Sequence, residues 1–299
     1  MKCDLHVHTL HSGMCTLPLF RRFCRESYSD PEEVYATLKR RGMDLVTVTD
    51  HDSIGASEPL RRHPDFFLSE EVSCLTSSGT RLHMGVYGIA ERDHLQLQRR
   101  ARDLPSLLAY LEERGLLFSV NHVFSSLTGP RRQADFEEFA ARFPALETLN
   151  GAMLEIANRS AAALAAQTGK IAVGGSDAHT LASLGRTYTE VRGARNASEY
   201  LAGLKLGRGR VAGESGDYCK LTRAVASIGC DLMRERRAAR LLAPLLAAVP
   251  LVTLLNLAVE YAFAQKWSRR VLWNRAAPRP DFGMELQDAR FRRGSSSSS

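Results

Sequence analysis

From residue 2 to about residue 213, short apolar runs alternate with amphipathic helical patterns, and this alternation restricts the fold more than any other feature of the chain. Residues 3–7 alternate in polarity as a strand does. Asp30-Pro31-Glu32-Glu33 then supplies an N-cap, a proline in the first turn and a glutamate at the third helical position. Val34, Leu38 and Met43 share one side of the helix that follows, Lys39, Arg40 and Arg41 sit in its last turn, and Gly42 ends it. Leu45-Val46-Thr47-Val48-Thr49 reads as the second strand. The unit recurs where Asp103-Leu104-Pro105 opens a helix that Gly115 closes before the strand Leu117-Phe118-Ser119-Val120. It recurs again where Asn158 opens a helix that Gly169 closes before Ile171-Ala172-Val173. Repeated β/α units predict a barrel or a doubly wound sheet, in which chemistry sits where strands end and loops begin.

Histidines and carboxylates occupy those positions. His6 and His8 alternate on the first strand, so both side chains leave one face and can grip one ion. Asp50-His51-Asp52 follows the second strand, Glu71 begins the run Val72-Ser73-Cys74, and His83 lies in Leu82-His83-Met84-Gly85-Val86-Tyr87. His122 follows the strand 117–120, and Gly175-Ser176-Asp177-Ala178-His179 follows the strand 171–173. A single strand-end histidine is more often structural than a ligand, and His63 and His94, in polar helical or loop settings, keep that reading. His-x-His with carboxylates and further imidazoles at strand ends exceeds what packing needs and points to a metal site.

The ordered set Asp4-Leu5-His6-Val7-His8-Thr9, Thr49-Asp50-His51-Asp52, Glu71-Val72-Ser73, His83, Asn121-His122-Val123, Glu147-Thr148-Leu149-Asn150-Gly151 and Gly175-Ser176-Asp177-Ala178-His179 resembles the PHP (polymerase and histidinol phosphatase) family over residues 2 to about 213. The resemblance implies a distorted (β/α)7 TIM-like barrel with two or three divalent metal ions, zinc, manganese or iron, at the C-terminal face of the strands. Position by position, it implies that His6, His8, Glu71 and Asp177 hold one metal, that Glu71 bridges to a second held with His83 and His122, and that His51 and His179 serve a third. Two carboxylates against several divalent cations leave a cationic pocket that an anionic phosphate can complete.

This chain departs from the family pattern at one place. Many relatives read Ser-Asp-Gly after the His-x-His strand, and the Asp, or a His one place on, completes the third site; here Ser12 is followed by Gly13, Met14 and Cys15. His11 or Cys15 is available to replace it, a thiolate would bias the site towards zinc, and a small buried thiol is the alternative for Cys15. A two-metal enzyme is the other outcome.

Water acidified by two cations, rather than a side chain, is the expected attacking group. Arg186, in Leu184-Gly185-Arg186-Thr187, is the candidate for gripping phosphate, with a solvated strand-edge arginine as the alternative. Arg131 and Arg132, in a loop after His122, are expected to be exposed, with an outer phosphate contact as the alternative, and Asn121, Asn150 and Asp50 are expected to support ligands or substrate.

The net charge of the 299 residues is +7, yet from Arg234 onward there are 12 Lys and Arg against 5 Asp and Glu, which leaves 28 of each sign in residues 1–233. The excess charge belongs to the tail, so the barrel gives no indication of nucleic acid except as substrate. Six cysteines without a CxxC pair, and a start with no apolar leader, lead to the expectation of a cytoplasmic protein with reduced thiols. The expected domains are a barrel over 1–215, a helical, apolar and basic extension over 216–275, and a flexible tail over 276–299 that ends in Gly294-Ser295-Ser296-Ser297-Ser298-Ser299.

Within a helix-prone stretch from about Leu221 to Trp273, Leu241 to Val259 carries no charge over about 19 residues, near the length of a bilayer core. Trp267 and Trp273 beside basic residues suit a headgroup interface, whereas Pro244, Pro250 and Asn256 oppose a span. The two readings of residues 234–273 are membrane attachment, spanning or on the surface, and a helix packed on the barrel or on another copy of the chain. For the whole chain, the leading expectation is hydrolysis of a small anionic phosphoester: a phosphomonoester, a nucleotide or a short oligonucleotide. The alternatives are a membrane-associated regulatory or accessory module with a metal-binding barrel, and a hydrolase of non-phosphate bonds.

Overall fold

The first helix begins where its cap predicts. In the computed structural model, which describes residues 1–15 and 20–276, strand β1 (Lys2–Cys3) leads to α1 (Pro31–Arg40), and the Asp30 carboxylate accepts hydrogen bonds from the Glu32 and Glu33 amides at 2.9 and 3.4 Å. A one-turn helix α2 (Ser57–Leu60), strands β2 (Ser69–Leu75) and β3 (Arg81–Tyr87), and helices α3 (Glu91–Arg100) and α4 (Leu104–Glu113) come next. Then follow β4 (Leu117–Val120), α5 (Gln133–Arg142), β5 (Ala145–Asn150), α6 (Glu155–Thr168), β6 (Ile171–Gly175), β7 (Thr187–Val191), α7 (Ala197–Lys205) and β8 (Gly209–Gly213). The extension consists of α8 (Tyr218–Glu235), a 3₁₀ run (Arg237–Ala248) and α9 (Val249–Ala276).

The architecture is mixed α/β, but its strands do not close into a barrel of continuous ladders. They form a five-stranded sheet in the order β2-β3-β4-β5-β6 and a three-stranded sheet in the order β1-β7-β8. Only β4–β5 and β5–β6 are parallel; β2–β3, β3–β4 and both pairs of the smaller sheet are antiparallel. The turn at 76–80, tied by Thr76 N donating to Thr80 O at 2.8 Å, returns the chain directly, so no helix separates β2 from β3.

The expected second strand, 45–49, forms no ladder. Single bridges join Val46 to Phe66 and His51 to Glu71, while Thr49 N donates to Val7 O at 2.8 Å. Threonine hydroxyls supply bonds that a ladder would otherwise make: Thr47 Oγ1 donates to Phe67 O at 2.7 Å and Thr49 Oγ1 accepts from Val7 N at 3.0 Å. A further single bridge, Val7 to Ala178, ties residues 4–8 to the end of β6. Of the residues expected to carry the chemistry, His51 thus meets Glu71 through a single bridge, His6 and His8 flank the bridge at Val7, Asp177 and His179 flank its partner Ala178, and Glu71 and His83 lie in the β2–β3 ladder.

Helix α6 starts at Glu155 rather than Asn158. Asn158 instead acts from inside the helix, accepting from Asn150 N and donating to Asn150 O, both at 3.0 Å, and so fixes the end of β5. Gly169 closes α6 in the left-handed conformation at φ 64°, as its position predicts.

One face of the larger sheet, with Val72, Met84, Val86, Val120 and Leu146, packs against Leu107, Leu111, Phe136, Phe139 and Leu164. Each such fully buried side chain contributes about 1.5–3 kcal/mol by leaving water. Helix α9 joins this core through Ala264, Trp267 and Val271. Trp267 is thus buried, with its ring 5.1 Å from that of Phe136, and does not stand at an exposed interface as its basic neighbours suggested.

The apolar stretch 241–259 is not one continuous α-helix, because Pro244 lies in the 3₁₀ run and Pro250 in the first turn of α9. Within Arg237–Leu272 an 18-residue window reaches a mean hydropathy of 2.2 with only 6% of it buried, and Leu241 is 86% exposed. The side chain of Trp273 and the expected tail, including Gly294–Ser299, lie outside the described residues.

Candidate metal centre

All eight side chains expected as ligands meet at the junction of the two sheets. His6, His8, Glu71, His122 and Asp177 are buried, while His51, His83 and His179 form the more open side. His6 Nε2 lies 3.3 Å from Glu71 Oε1 and 3.5 Å from Asp177 Oδ1, and His8 Nε2 lies 3.3 Å from Asp177 Oδ1 and 3.7 Å from Glu71 Oε2. Glu71 also faces His83 Nδ1 at 3.5 Å, His122 Nε2 at 3.8 Å and His51 Nδ1 at 2.9 Å. Four groups have ligand atoms within 4.8 Å of one another: His6, His8 and Asp177; His51, Glu71 and His83; His8, His51 and His179; and His6, His122 and Glu147.

Backbone contacts bring these residues together. Asp177 N donates to His6 O at 2.8 Å and His8 N to Ala178 O at 3.0 Å. This close approach requires Gly175, since a Cβ there would fall 2.3 Å from His6 N. On the other side, Asp52 N donates to Glu71 O at 2.9 Å and Asn121 N to His83 O at 3.0 Å.

Two observations test whether these residues fit a metal. His6 Nε2, His8 Nε2, His51 Nδ1, Glu71 Oε2, His83 Nδ1 and His122 Nε2 are buried without a hydrogen-bond partner. A buried polar atom left so costs about 1–3 kcal/mol, and several converging on one volume make a set that divalent cations satisfy. Asp52, His122 and Asp177 also sit in the left-handed region at φ 49°, 48° and 51°. That conformation is unfavourable for side chains with a Cβ and characteristic of functional sites. The donor set fits divalent metal ions.

Neighbouring groups orient the ligands. Glu147 Oε1 lies 2.7 Å from His6 Nδ1, and Asn150 Nδ2 donates to Glu147 Oε2 at 2.9 Å and Asp177 Oδ2 at 3.1 Å. Asn121 Nδ2 donates to Glu71 Oε1 at 2.7 Å. Ser12 Oγ stands between His8 Nδ1 at 2.9 Å and Asp50 Oδ1 at 2.6 Å, which orients His8 through a hydroxyl. Asn121 and Asn150 thus bond side chains expected as ligands directly, and Asp50 reaches His8 through Ser12. Glu147 had only its place in the family motif to mark it, and Ser12 had no signal of its own.

Electrostatics divide the histidines. Burial raises the Glu71 carboxyl, but His6, His83, His51 and His122 around it outweigh burial and hold it well below the usual carboxylate range. Asp177 is held well below in the same way by His6 and His122. Burial pushes His83 down to about 3 and, with His179 beside it, holds His8 well below the ordinary imidazole range, so both are neutral as metal ligation requires. Burial also opposes charge on His6, but Asp177, Glu71 and Glu147 raise it well above that range.

The remaining expectations divide. His63 pairs with Glu32 at 3.2 Å and stacks on Tyr35, and His94 pairs with Glu70, so both keep structural roles. Arg131, expected to be exposed, is buried instead: it bonds Arg81 O and Thr128 Oγ1 and lies over the Phe139 ring, anchoring the loop before α5. Arg132 is exposed. Arg186, half exposed, faces Glu214 at 3.7 Å and lines a cavity of about 220 Å³ with Lys220 and Arg223, beside Thr180 and Gly151. Of the two stand-ins for the absent loop ligand, the His11 ring lies against Gly55 and Cys15 packs beside the Cys24–Leu232–Ala239 cluster. Glu26 was not anticipated; its Oε2 lies 3.1 Å from His51 Nε2.

A mixed α/β scaffold with six imidazoles and three carboxylates gathered at the junction of its sheets has the make-up of a protein that uses divalent metal. The likeness to the PHP family is supported by a family model described as PHP-associated, which matches residues 155–208 and so spans Asp177 and His179. An uncharacterized protein of Methanocaldococcus jannaschii is 31% identical over 67 residues, a match covering 22% of this chain and 38% of that relative. In fold, the chain is similar to PsfC from Pseudomonas syringae, with a TM-score of 0.53 and 18% identity, covering 79% of this chain and 98% of that one. A weaker similarity in outline, TM-score 0.46 and 16% identity over 70% of this chain and 57% of the other, is to the lesion-specific endonuclease EndoQ from Pyrococcus furiosus.

Proposed function

We propose that this chain is a PHP-family metal-dependent phosphoesterase whose catalytic unit is residues 1–215, a distorted (β/α)7 arrangement in which single bridges take the place of some ladders. The observation that carries the reading is the convergence of His6, His8, His51, Glu71, His83, His122, Asp177 and His179 with six buried ligand atoms that no hydrogen bond satisfies. Two or three divalent ions held there would acidify a water and offset charge on phosphoryl oxygens. The residues' part is to hold His6, His8 and Glu71 in place through Glu147, Ser12 and Asn121 respectively and to leave the His51, His83 and His179 side open for substrate. Arg186, with Lys220 and Arg223, offers guanidinium and ammonium donors for the remote anionic part of a phosphomonoester, nucleotide or short oligonucleotide. The test is hydrolysis of an aryl phosphate, which chelation by EDTA, Asp177→Ala and His8→Ala should each abolish while the fold persists. Retained turnover in either variant refutes the site.

One feature supports a membrane-associated form of the same enzyme. Leu241, Leu251, Val252, Leu254, Leu255 and Val259 are all more than half exposed, and Arg236, Arg237 and Arg240 stand at the near end of this surface. Such a surface suits the boundary of an anionic leaflet, with residues 216–275 as the extension that presents it.

A further inference from the structure

The loop between the first strand and α1 lacks a metal ligand where the family pattern places one in sequence, yet it delivers a carboxylate to His51 by folding back on itself. Met14 and Arg25 form an antiparallel bridge, Cys15 N donates to Cys24 O at 2.9 Å, and Glu26 N donates to Gly13 O at 3.1 Å. Gly13 thus contributes its carbonyl where a ligand side chain would stand, and that carbonyl fixes the backbone of Glu26. The carboxylate reaches inward, with Oε2 3.1 Å from His51 Nε2 and the side chain only 15% exposed. His51 Nδ1 points the other way, 2.9 Å from Glu71 Oε2, so the His51 ring spans from the buried bridging carboxylate to Glu26. His51 also groups with His8 and His179 within 4.8 Å, and His8 and His179 stack with ring centroids 4.3 Å apart.

The helical extension braces this loop. Cys24 packs with Leu232 and Ala239, and Phe20, Phe23 and Tyr28 pack beside them. Arg25 Nε donates to Glu235 Oε1 at 3.1 Å, and its guanidinium also reaches Leu10 O. Arg25 is thereby pulled outward towards α8 while the next residue, Glu26, faces the metal centre, as alternation along an extended segment requires.

We propose that Glu26 is the carboxylate ligand that completes the third metal site with His51 and His179, in place of the residue absent at Gly13–Cys15. This inference rests on the metal-centre reading above. It makes the site a nitrogen and oxygen donor set without thiolate, so the bias to zinc that Cys15 would have introduced does not arise.

The test is elemental analysis of the full chain loaded with manganese or zinc and then dialysed, comparing wild type with Glu26→Gln and Glu26→Ala. Wild type is expected to retain about three ions per chain and each variant about two, with the dissociation constant of the weakest ion raised by at least roughly tenfold. The two ions that remain report that each variant is folded. Equal stoichiometry and affinity in wild type and variants, a wild type holding only two ions, or loss of every ion from both variants overturns the assignment of Glu26. A wild type that binds no metal overturns the metal centre as a whole, a different result from the failure of Glu26 alone.

Discussion

Truncating Trp267 to alanine tests whether the extension is part of the folded enzyme or an appendage. The indole is 5% exposed, lies 5.1 Å from the Phe136 ring and 6.4 Å from that of Phe263, and is flanked by Lys266 and Arg270 over its face at 5.4 and 5.5 Å. Removing a buried indole costs about 3–5 kcal/mol, including the cavity it leaves, and the Phe136 pair accounts for about 0.5–1.5 kcal/mol of this. With an m-value of about 3 kcal/mol per M for urea, the unfolding midpoint should fall by about 1–1.7 M. Urea titration followed by far-ultraviolet circular dichroism, with detergent absent, measures the shift. An unchanged m-value would mean that α9 unfolds together with the sheets, and a reduced one that it separates first. A midpoint within about 0.3 M of wild type would refute the docking of α9, because no buried indole is lost so cheaply.

Three further outcomes follow from particular contacts. Arg186→Ala should raise KM for a phosphomonoester by about tenfold or more with a smaller change in kcat, since the substrate contact proposed for it is charged and remote from the reacting bond; unchanged KM in steady-state kinetics would remove Arg186 from the proposed substrate site. The buried Asp135 carboxylate, although burial raises it, is held low by Ser78 Oγ at 2.6 Å, Arg132 N at 2.6 Å and Thr76 Oγ1 at 2.9 Å. Its folded pKa therefore lies below its unfolded value of about 3.9, so its contribution is complete above that value and is lost as pH falls through the folded one. The stability difference between wild type and Asp135→Asn should shrink below about pH 4, and a difference constant from pH 7 to 3 contradicts this. Replacing Leu251 and Leu255 by aspartate should abolish sedimentation with anionic vesicles and leave aryl phosphate hydrolysis in solution unchanged; equal sedimentation of variant and wild type would show that the exposed apolar surface does not contact lipid.

Much of the imidazole and carboxylate cluster is legible because six of its expected members sit in a local signal: an alternating strand for His6 and His8, a strand end for His51, His122, Asp177 and His179. What the sequence could not show was pairing at a distance. The antiparallel β2–β3 pair turns at Ser77-Ser78-Gly79-Thr80, where Gly79 at φ 82° allows a direct return that repeated β/α units do not contain. The Thr47 and Thr49 hydroxyls compete with ladder formation, so a five-residue apolar run became a bridged segment. Glu26 has no spacing relation to His51 and becomes a neighbour only through the Gly13–Glu26 fold-back. Arg131 and Trp267 looked exposed among basic neighbours, yet both cover aromatic side chains of α5, Phe139 and Phe136.

On the function proposed above, the buried imidazole and carboxylate cluster holds the metal ions that make this chain a phosphoesterase. Elemental analysis of the purified chain, paired with aryl phosphate hydrolysis by the same sample before and after chelation, tests it most directly. The expected result is divalent metal bound in excess of one ion per chain, hydrolysis that disappears on chelation and returns on reloading, and loss of both metal and activity in Asp177→Ala. A folded chain that binds no metal, or one whose hydrolysis survives chelation, would contradict it.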